Sequence, residues 1–600
     1  MNICLISREF PPFFGGGIGT YTRQWAHALA NSGHTAVVVT VSDDGREHRE
    51  TQGGVNIVRL PFLRGSGYEA DWSAPHPSIA TPESRAAFAA LTPVSAFGIE
   101  LAKALPGVVA EYKIEVIEAP DTGALGWFAL NSRRAGHIGG LPPIVTMLHS
   151  PTAWIAGLNL APLRPPMEVN LAAMERDCVR WSDGLVSPTA ALADWAARYW
   201  GISADVIDVI PHPLGDLEVK ARQAAAKPRS PGPLRIVYAG RLEPRKGVDT
   251  LLEGFERATR AGLDATLDLA GEDMPDPSGG GKFGANSLSR MDPAARKRVV
   301  AHGRVSPERV EELRAAADVV AIPSPMDNFP YTCVEAMCGG RIVVAAAAGG
   351  MAEMIRDGRE GLLFAPGDAA ACAAALSRAA HLSSEAWAEM GQSAAARMLE
   401  MCGNERVVQQ RIGHYRRVIA RQSLPTRTPR RKFIVVNPGT AAASSIERLA
   451  VAAEAGGASF AHGWTRSPGG GVRAFASPCL DTLAASAREI GPVVVDASLA
   501  ERDPAQSLMS GDSWSLAFAL TAAGHTGIVV PDVVTDVEDE PLSRVEREAV
   551  RDLERRAAAG MKAVQELDRI KASTGWGLLQ RCYAVLHILK GRGIKRNGAE

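Results

Sequence analysis

Asp327-Asn-Phe-Pro-Tyr331-Thr-Cys-Val-Glu335-Ala-Met337 follows the apolar run Val319 to Pro323, and Gly349-Gly350-Met-Ala-Glu353 comes shortly after it. The stretch reads as a strand, then a loop turned by proline, then a helix that opens at Val334-Glu335. It sets two acids eight positions apart across that loop. Upstream, Tyr238-Ala-Gly-Arg241-Leu-Glu-Pro-Arg-Lys246-Gly247 closes another apolar run, Leu234 to Ala239. Two cations therefore follow one strand and two acids follow another.

Along the chain, short apolar runs alternate with helical patterns in two sets. The first set includes Ile3 to Ser7, Ala36 to Val41, Val55 to Leu60, Ile144 to His149 and Gly184 to Ser187. The second follows the turn-forming loop Pro228-Arg-Ser-Pro-Gly-Pro233 and includes Leu234 to Ala239, Ala265 to Ala270, Val319 to Pro323 and Ile342 to Ala346. Alternation of this kind builds parallel sheets, so the chain is expected to be α/β, with two Rossmann-like domains. Open parallel sheets bind ligands beyond the carboxyl ends of their strands, so the two domains should face each other across a cleft. Cations in such a cleft neutralise a diphosphate through charge-assisted hydrogen bonds. A carboxylate holds ribose hydroxyls, and a second acid lies near a sugar. Arg241, Lys246, Glu335 and Asp327 thus supply what a nucleotide diphosphate-sugar requires. Glu335 could instead simply complement the dipole of its helix, and the two cations could be solvated loop residues. The loop Asn328-Phe329-Pro330-Tyr331 offers backbone amides beside a helix N-terminus, where phosphate binds readily.

Composition sets the outer limits. At 600 residues the chain is too long for one core. A 46% hydrophobic, 22% charged composition is that of an ordinary globular protein. The net charge of −1 argues against a general nucleic-acid binder. No run reaches the length of a spanning helix, and Asn2 to Ser7 reads as a first strand, not a signal peptide. The eight cysteines form no C-x-x-C pairs and are expected to be reduced core residues of a cytoplasmic protein.

Gly15-Gly16-Gly17-Ile-Gly19 lies between the first strand and a helix expected from about Thr20. The dinucleotide fingerprint would need glycine at position 20, and Pro11-Pro-Phe-Phe14 separates strand and glycines too widely, which excludes NAD. These glycines would let the backbone approach a sugar or phosphate across the cleft. His149 ends the run Ile144 to His149, where an open sheet places its ligand. Asp121 lies near another strand end with a weaker claim, and His34 reads as a structural residue between helix and strand.

Residues 1 to about 420 resemble the family-4 retaining glycosyltransferases of GT-B fold. The resemblance rests on Pro11-Pro with Gly16-Gly-Ile-Gly19, Gly33-His34, His149, Ile210-Pro211, Gly240-Arg241 with Lys246-Gly247, Glu335-Ala-Met, and Gly349-Gly350 with Glu353. It implies retaining transfer of a sugar from a nucleotide diphosphate-sugar to a glycan or lipid-linked acceptor, without a metal or other cofactor. Position by position, Arg241 and Lys246 would bind the diphosphate and Glu335 the ribose. Gly16 and Gly17 would admit the donor phosphate, His149 would lie beside the donor sugar and leaving group, and Asn328, Phe329, Pro330 and Tyr331 would contact sugar hydroxyls. The chain departs from the pattern at Asp327, where the family usually has glutamate, and at Ile210-Pro-His212-Pro, in place of Ile-Pro-Asn-Gly at the interdomain hinge. The resemblance assigns residues 1–212 to the acceptor side, 213–404 to the donor side and 405–420 to a helix returning to the first domain. Other readings of the same residues are a GT-B nucleotide-sugar epimerase and a non-catalytic nucleotide-sugar-binding or scaffold partner of another glycosyltransferase.

A Pro- and Arg-rich stretch, 421–432, reads as a linker, followed by a third region, 433–600. Ile490 to Leu499, Gly511-Asp512-Ser-Trp-Ser-Leu516 and Ala523 to Asp532 resemble the later half of family-2, GT-A glycosyltransferases. Asp512 fits that family's base position. Val435-Val-Asn437-Pro-Gly439 stands where its metal-binding carboxylates would be, so the expectation is a degenerate domain. A charged helical pattern runs from Leu542 to about Ala572. The basic, aromatic segment Trp576 to Lys595 either lies on an anionic inner-membrane surface or packs as a terminal helix. The insert Arg64 to Pro93 falls in the half where this family usually binds its acceptor.

Overall fold

In the computed structural model, residues 1–422 are described apart from 12–15, 43, 45, 62–92, 135–137, 160–162, 164–166, 225–228, 230–231 and 279. Beyond them, only 433–436, 460–466, 472–473, 493–496 and 527–536 are described.

The first sheet holds eight strands: β1 (Asn2–Ile6), β2 (Thr35–Ser42), β3 (His48–Gln52), β4 (Val55–Pro61), β5 (Val116–Pro120), β6 (Ile144–Met147), β7 (Gly184–Ser187) and β8 (Ile207–Val209). Their order is β3-β4-β2-β1-β5-β6-β7-β8. Every pairing is parallel except β3 with β4. Helices cover both faces, so the central strands are apolar throughout. Successive side chains alternate between two cores. Cys4 and Ile6 pack with Phe97, Leu101 and Leu105 of the helix Pro93–Tyr112 on one face. Ile3 and Leu5 pack with Trp25 and Leu29 on the other.

Tyr21, Trp25, Ala28 and Leu29 recur on one side of the helix Gly17–Asn31 and are buried. It ends as a helix followed by left-handed glycine should: Gly33 has φ 79°, its N–H donates to Ala30 O, and His34 N donates to Leu29 O. His34 also meets the Met1 amino group at 3.1 Å, a structural role.

The second sheet holds β9 (Leu234–Ala239), β10 (Ala265–Ala270), β11 (Val299–Gly303), β12 (Val319–Ile322), β13 (Ile342–Ala346) and β14 (Leu362–Phe364). It is wholly parallel, in the order β11-β10-β9-β12-β13-β14. The helix Asn404–Gln422 then returns to the first sheet. Val407, Val408, Ile412, Tyr415 and Val418 join the core of Ile3, Leu5 and Trp25. Its Arg411 is buried and paired with Glu118 at 2.5 Å; Tyr21 and Tyr415 complete the cluster. A buried pair of this kind adds little net stability, but removing one partner would strand the other, so it fixes where the helix sits.

The third region contributes β15 (Phe433–Val436), β16 (Phe460–Arg466), β17 (Val472–Arg473), β18 (Val493–Asp496) and β19 (Gly527–Asp536). β18 lies between β15 and β16, antiparallel to both, and β19 pairs with β16 in parallel. Strands thus fall at Phe433 to Val436 and within two of the three motifs read there. Asn437, Gly439, Asp512, the charged helical pattern and the segment Trp576 to Lys595 lie outside the described residues, as does the insert Arg64 to Pro93 but for its last residue. Among the described residues, no helix is long and apolar enough to cross a membrane. The described cysteines Cys4, Cys178, Cys333, Cys338, Cys372 and Cys402 are buried and unpaired.

Candidate active site

The candidate residues lie where strands of the two sheets end. Arg241 and Lys246 follow β9, Asp327 follows β12, and Gly349-Gly350 follow β13. From the first domain, Asp121 follows β5 and His149 follows β6.

Lys246 sits in a single 3₁₀ turn, Pro244–Lys246, closed by Gly247 at φ 65°. A Cβ on Gly247 would lie 2.1 Å from Pro323 O, so only glycine lets the β9 loop lie against the end of β12. That approach brings Lys246 Nζ to 2.5 Å from Asp327 Oδ2. Asp327 Oδ1 accepts from Asn328 N at 3.0 Å. Burial would raise the Asp327 carboxyl, but Lys246 and Arg245 outweigh it and hold it below the ordinary value. Gly349, at φ 51°, closes the site from behind: a Cβ there would lie 2.1 Å from Asp327 O.

Of the two cations after β9, Lys246 meets an acid of the β12 loop. Arg241 turns to Glu243 at 3.2 Å, sharing that carboxylate with Arg245 at 2.8 Å, and nearly half of its side chain remains exposed. The cation on Glu335 is Arg314, at 2.8 Å. Glu335 does not open its helix either. The helix is Tyr331–Cys338, so Glu335 lies one turn inside and the dipole reading falls away. Burial raises its pKa, and Arg314 opposes the rise.

His149 sits two residues beyond β6, which stops at Met147, and not at the strand end. Its N–H donates to Asp121 Oδ1 at 2.8 Å, and its carbonyl accepts from Asn328 Nδ2 at 2.8 Å. Burial, and then the Arg411 charge, push the imidazole down to about 3, so it is neutral at physiological pH. A small pocket beside it is lined by Ile6, Ile18, Tyr21, Glu118 and Met147. Asp121 is wholly buried and raised to about 7 by that burial, against hydrogen bonds from His149 and Thr122 that lower it. Glu175, unnoticed in the sequence, ties the same loops together. It accepts from Gly123 N at 3.1 Å and from Thr152 N at 2.6 Å, and burial followed by the Asp121 charge raises it to about 8.

The Asn328 side chain is engaged within the protein. It is buried, its Oδ1 accepts from Thr189 Oγ1 at 2.6 Å, and its Nδ2 is bonded to His149 O, so it joins the two domains. Glu353 makes a second link: its two oxygens accept from Ala190 N and Ala191 N at 3.1 and 2.9 Å, capping a first-domain helix from across the cleft. The glycine loop is shorter than expected, because the helix begins at Gly17 and takes Gly17 to Gly19 into its first turn. Gly16 and Gly17 are exposed, and a Cβ on Gly17 would lie 4.0 Å from Tyr331. His212 is buried between Tyr21 and His149 of one domain and Phe329 and Tyr331 of the other, with ring centroids 4.2, 5.4, 4.7 and 6.0 Å away. Pro330 caps the Tyr331 helix without a side-chain bond.

Two family models match the chain: "Glycosyl transferase 4-like domain" over 16–213 and "Glycosyl transferases group 1" over 233–381. Neither reaches the third region, so the family-2 resemblance drawn there gains no support from them. Glycogen synthase of Mycobacterium tuberculosis is 26% identical over 388 residues, 63% of this chain and 85% of that protein. D-inositol 3-phosphate glycosyltransferase of Streptomyces griseus is 31% identical over 301 residues, 46% of this chain and 61% of that protein. In fold, the chain is similar to sucrose-phosphate synthase of Thermosynechococcus elongatus (TM-score 0.51, 22% identity, 70% of this chain and 99% of that one). It is likewise similar to the catalytic domain of starch synthase IV from Arabidopsis thaliana, solved with ADP and acarbose (TM-score 0.51, 15% identity, the same coverage). Two mainly parallel sheets, with Lys246, Asp327 and His149 on the loops that follow their strands and a glycosyltransferase family match on each, make this chain a glycosyltransferase of the GT-B fold.

Proposed function

We propose that the chain transfers a sugar, with retention at the anomeric carbon, from a nucleotide diphosphate-sugar to a hydroxyl of a glycan or lipid-linked acceptor. The observation that carries this reading is the Lys246–Asp327 pair, with Arg245 beside it, at a strand end linked through Asn328 to His149. Arg241 and Lys246 bind the diphosphate and Glu335 the ribose. Phe329, Pro330 and Tyr331 flank the donor sugar, and Gly16 and Gly17 leave room for the phosphate. The relatives named glycogen synthase and D-inositol 3-phosphate glycosyltransferase support a hydroxyl acceptor in glycan or glycoconjugate assembly.

In the proposed reaction the acceptor oxygen attacks the anomeric carbon on the face from which the nucleotide diphosphate leaves. The glycosidic bond forms as the carbon–phosphate-oxygen bond breaks, and the departing phosphate oxygen takes the acceptor proton. Arg241 and Lys246 stabilise the charge that develops on that phosphate, a task for preorganised electrostatics. Neutral His149 lies beside the sugar. These cations do the work that a divalent metal does elsewhere, so the proposed reaction needs none. The proposed location is the cytoplasm, with the basic tail at the inner membrane face.

The test is nucleotide release from UDP-, GDP- and ADP-sugars, with membrane extract or glycan acceptors and with EDTA, followed by NMR of the product. Acceptor-dependent release that survives EDTA and leaves an axial product from an axial donor supports the proposal. An equatorial product would refute retention, and conversion of the donor without any acceptor would favour the epimerase reading.

A further inference from the structure

Arg314 stood in no motif of the sequence, yet its side chain is only 8% exposed. It lies on the helix Pro307–Ala316, which precedes β12. A buried guanidinium is costly unless its hydrogen bonds are met. Here Nη1 pairs with Glu311 Oε2 and Nη2 with Glu335 Oε2, each at 2.8 Å, while the buried Nε has no hydrogen-bond partner among the described residues. Glu311 is shared with Lys220. The far oxygen of Glu335, Oε1, has no partner among the described residues, and a quarter of the side chain is exposed. One oxygen of the carboxylate is thus pinned from behind while the other remains open.

We propose that Arg314 is the positioning residue of the nucleotide subsite: it holds Glu335 Oε2 so that Oε1 meets the ribose hydroxyls of a nucleoside diphosphate. This rests on the reading of Glu335 as the ribose ligand. The planar guanidinium, with Glu311 on Nη1 and Glu335 on Nη2, sets the direction from which Glu335 is met as well as the charge, and lysine supplies the charge without that planar frame. Arg314 also opposes the upward push that burial gives the Glu335 carboxyl. A simple structural link between two helices would need the pair but not its orientation.

Calorimetric binding of UDP, ADP and GDP, each beside its 2′,3′-dideoxy counterpart, tests this without an acceptor. The wild type should favour the ribose form of its nucleotide by about tenfold or more, as charge-assisted hydrogen bonds of about 1.5–3 kcal/mol imply. Glu335→Ala should abolish the preference, Arg314→Met should reduce it to within about threefold, and Arg314→Lys should restore part of it. If Glu335→Ala abolishes the preference and Arg314→Met keeps it, the inference on Arg314 fails and the ribose reading stands. If Glu335→Ala keeps it, or no nucleotide binds the wild type, both fail. Should Arg314→Met not fold, Glu311→Gln decides, because Glu311 is half-exposed and anchors the other arm of the guanidinium. A reduced ribose preference supports the inference and an unchanged one overturns it.

Discussion

Lys246→Ala separates the ion pair seen in the structure from the phosphate-binding role proposed for the same lysine. In the structure Lys246 Nζ lies 2.5 Å from Asp327 Oδ2, with 21% and 13% of the two side chains exposed. Breaking a fully buried pair costs about 3–5 kcal/mol, because the remaining charge is stranded. Arg245 remains near Asp327 and the pair is not wholly buried, so a loss of about 2–3 kcal/mol is expected. The catalytic effect should be larger in proportion. A preorganised donor to developing negative charge contributes about 10²–10³ in kcat, and Lys246 is proposed to face the leaving phosphate. Nucleotide release under saturating donor, alongside thermal melting, measures both. The double variant Lys246→Ala/Asp327→Asn removes the stranded charge and should recover most of the stability but none of the turnover. If Lys246→Ala keeps turnover within about threefold of wild type, or the double variant restores it, lysine only neutralises Asp327 and the diphosphate assignment is wrong.

Asn328→Ala removes bonds to both Thr189 and His149; about 1–3 kcal/mol of stability should be lost and kcat should fall, while a variant that kept full turnover would show that the interdomain bond is dispensable. Asp121 and Glu175 are carboxyls with raised folded-state values, about 7 and 8. Their contribution to stability is complete below the ordinary carboxyl range and is lost as pH rises through those values. Thermal melting followed from pH 4 to 8 should therefore show a decline that flattens in Asp121→Asn; an identical slope in the variant would rule out that source. Deleting 573–600 should abolish binding to anionic liposomes, and undiminished binding would remove the membrane reading of the basic tail.

The sheets were legible in the sequence because parallel strands buried on both faces are continuous apolar runs. Leu234 to Ala239 and Ile342 to Ala346 match β9 and β13 to the residue. The errors have physical causes. Leu148 is buried against Trp154, so the apolar run continues past the last residue of β6 and makes His149 look like a strand end. Both misplaced helix starts lack the usual signal: Gly16 and Pro330 cap their helices with no side-chain hydrogen bond, so no Ser, Thr, Asp or Asn marks the turn. Arg314, Glu175 and the helix-capping role of Glu353 escaped for another reason. Each acts on residues far along the chain, through distances that only the packed sheets define, and no local period records such pairs.

Asp327 poses the sharpest question for mechanism, because aspartate stands where glutamate is usual and reaches one methylene less far. The structure suggests why a shorter acid can serve. Its backbone is clamped, the carbonyl accepting from Gly350 N at 2.9 Å and lying where a Cβ on Gly349 would clash. Its carboxylate is fixed at both oxygens, by Asn328 N and by Lys246. Before the donor arrives, Lys246 therefore has a carboxylate for a partner and is held in place with little conformational freedom left to lose. On the proposed reading, an incoming diphosphate takes over that lysine and frees Asp327 Oδ2 for the sugar. Donor binding would then exchange one anion for another around a fixed cation, instead of gathering a mobile side chain. On that reading the clamped loop, and not the length of the acid, would supply the reach, so Asp327→Glu, with one methylene more in the same clamp, should lower turnover.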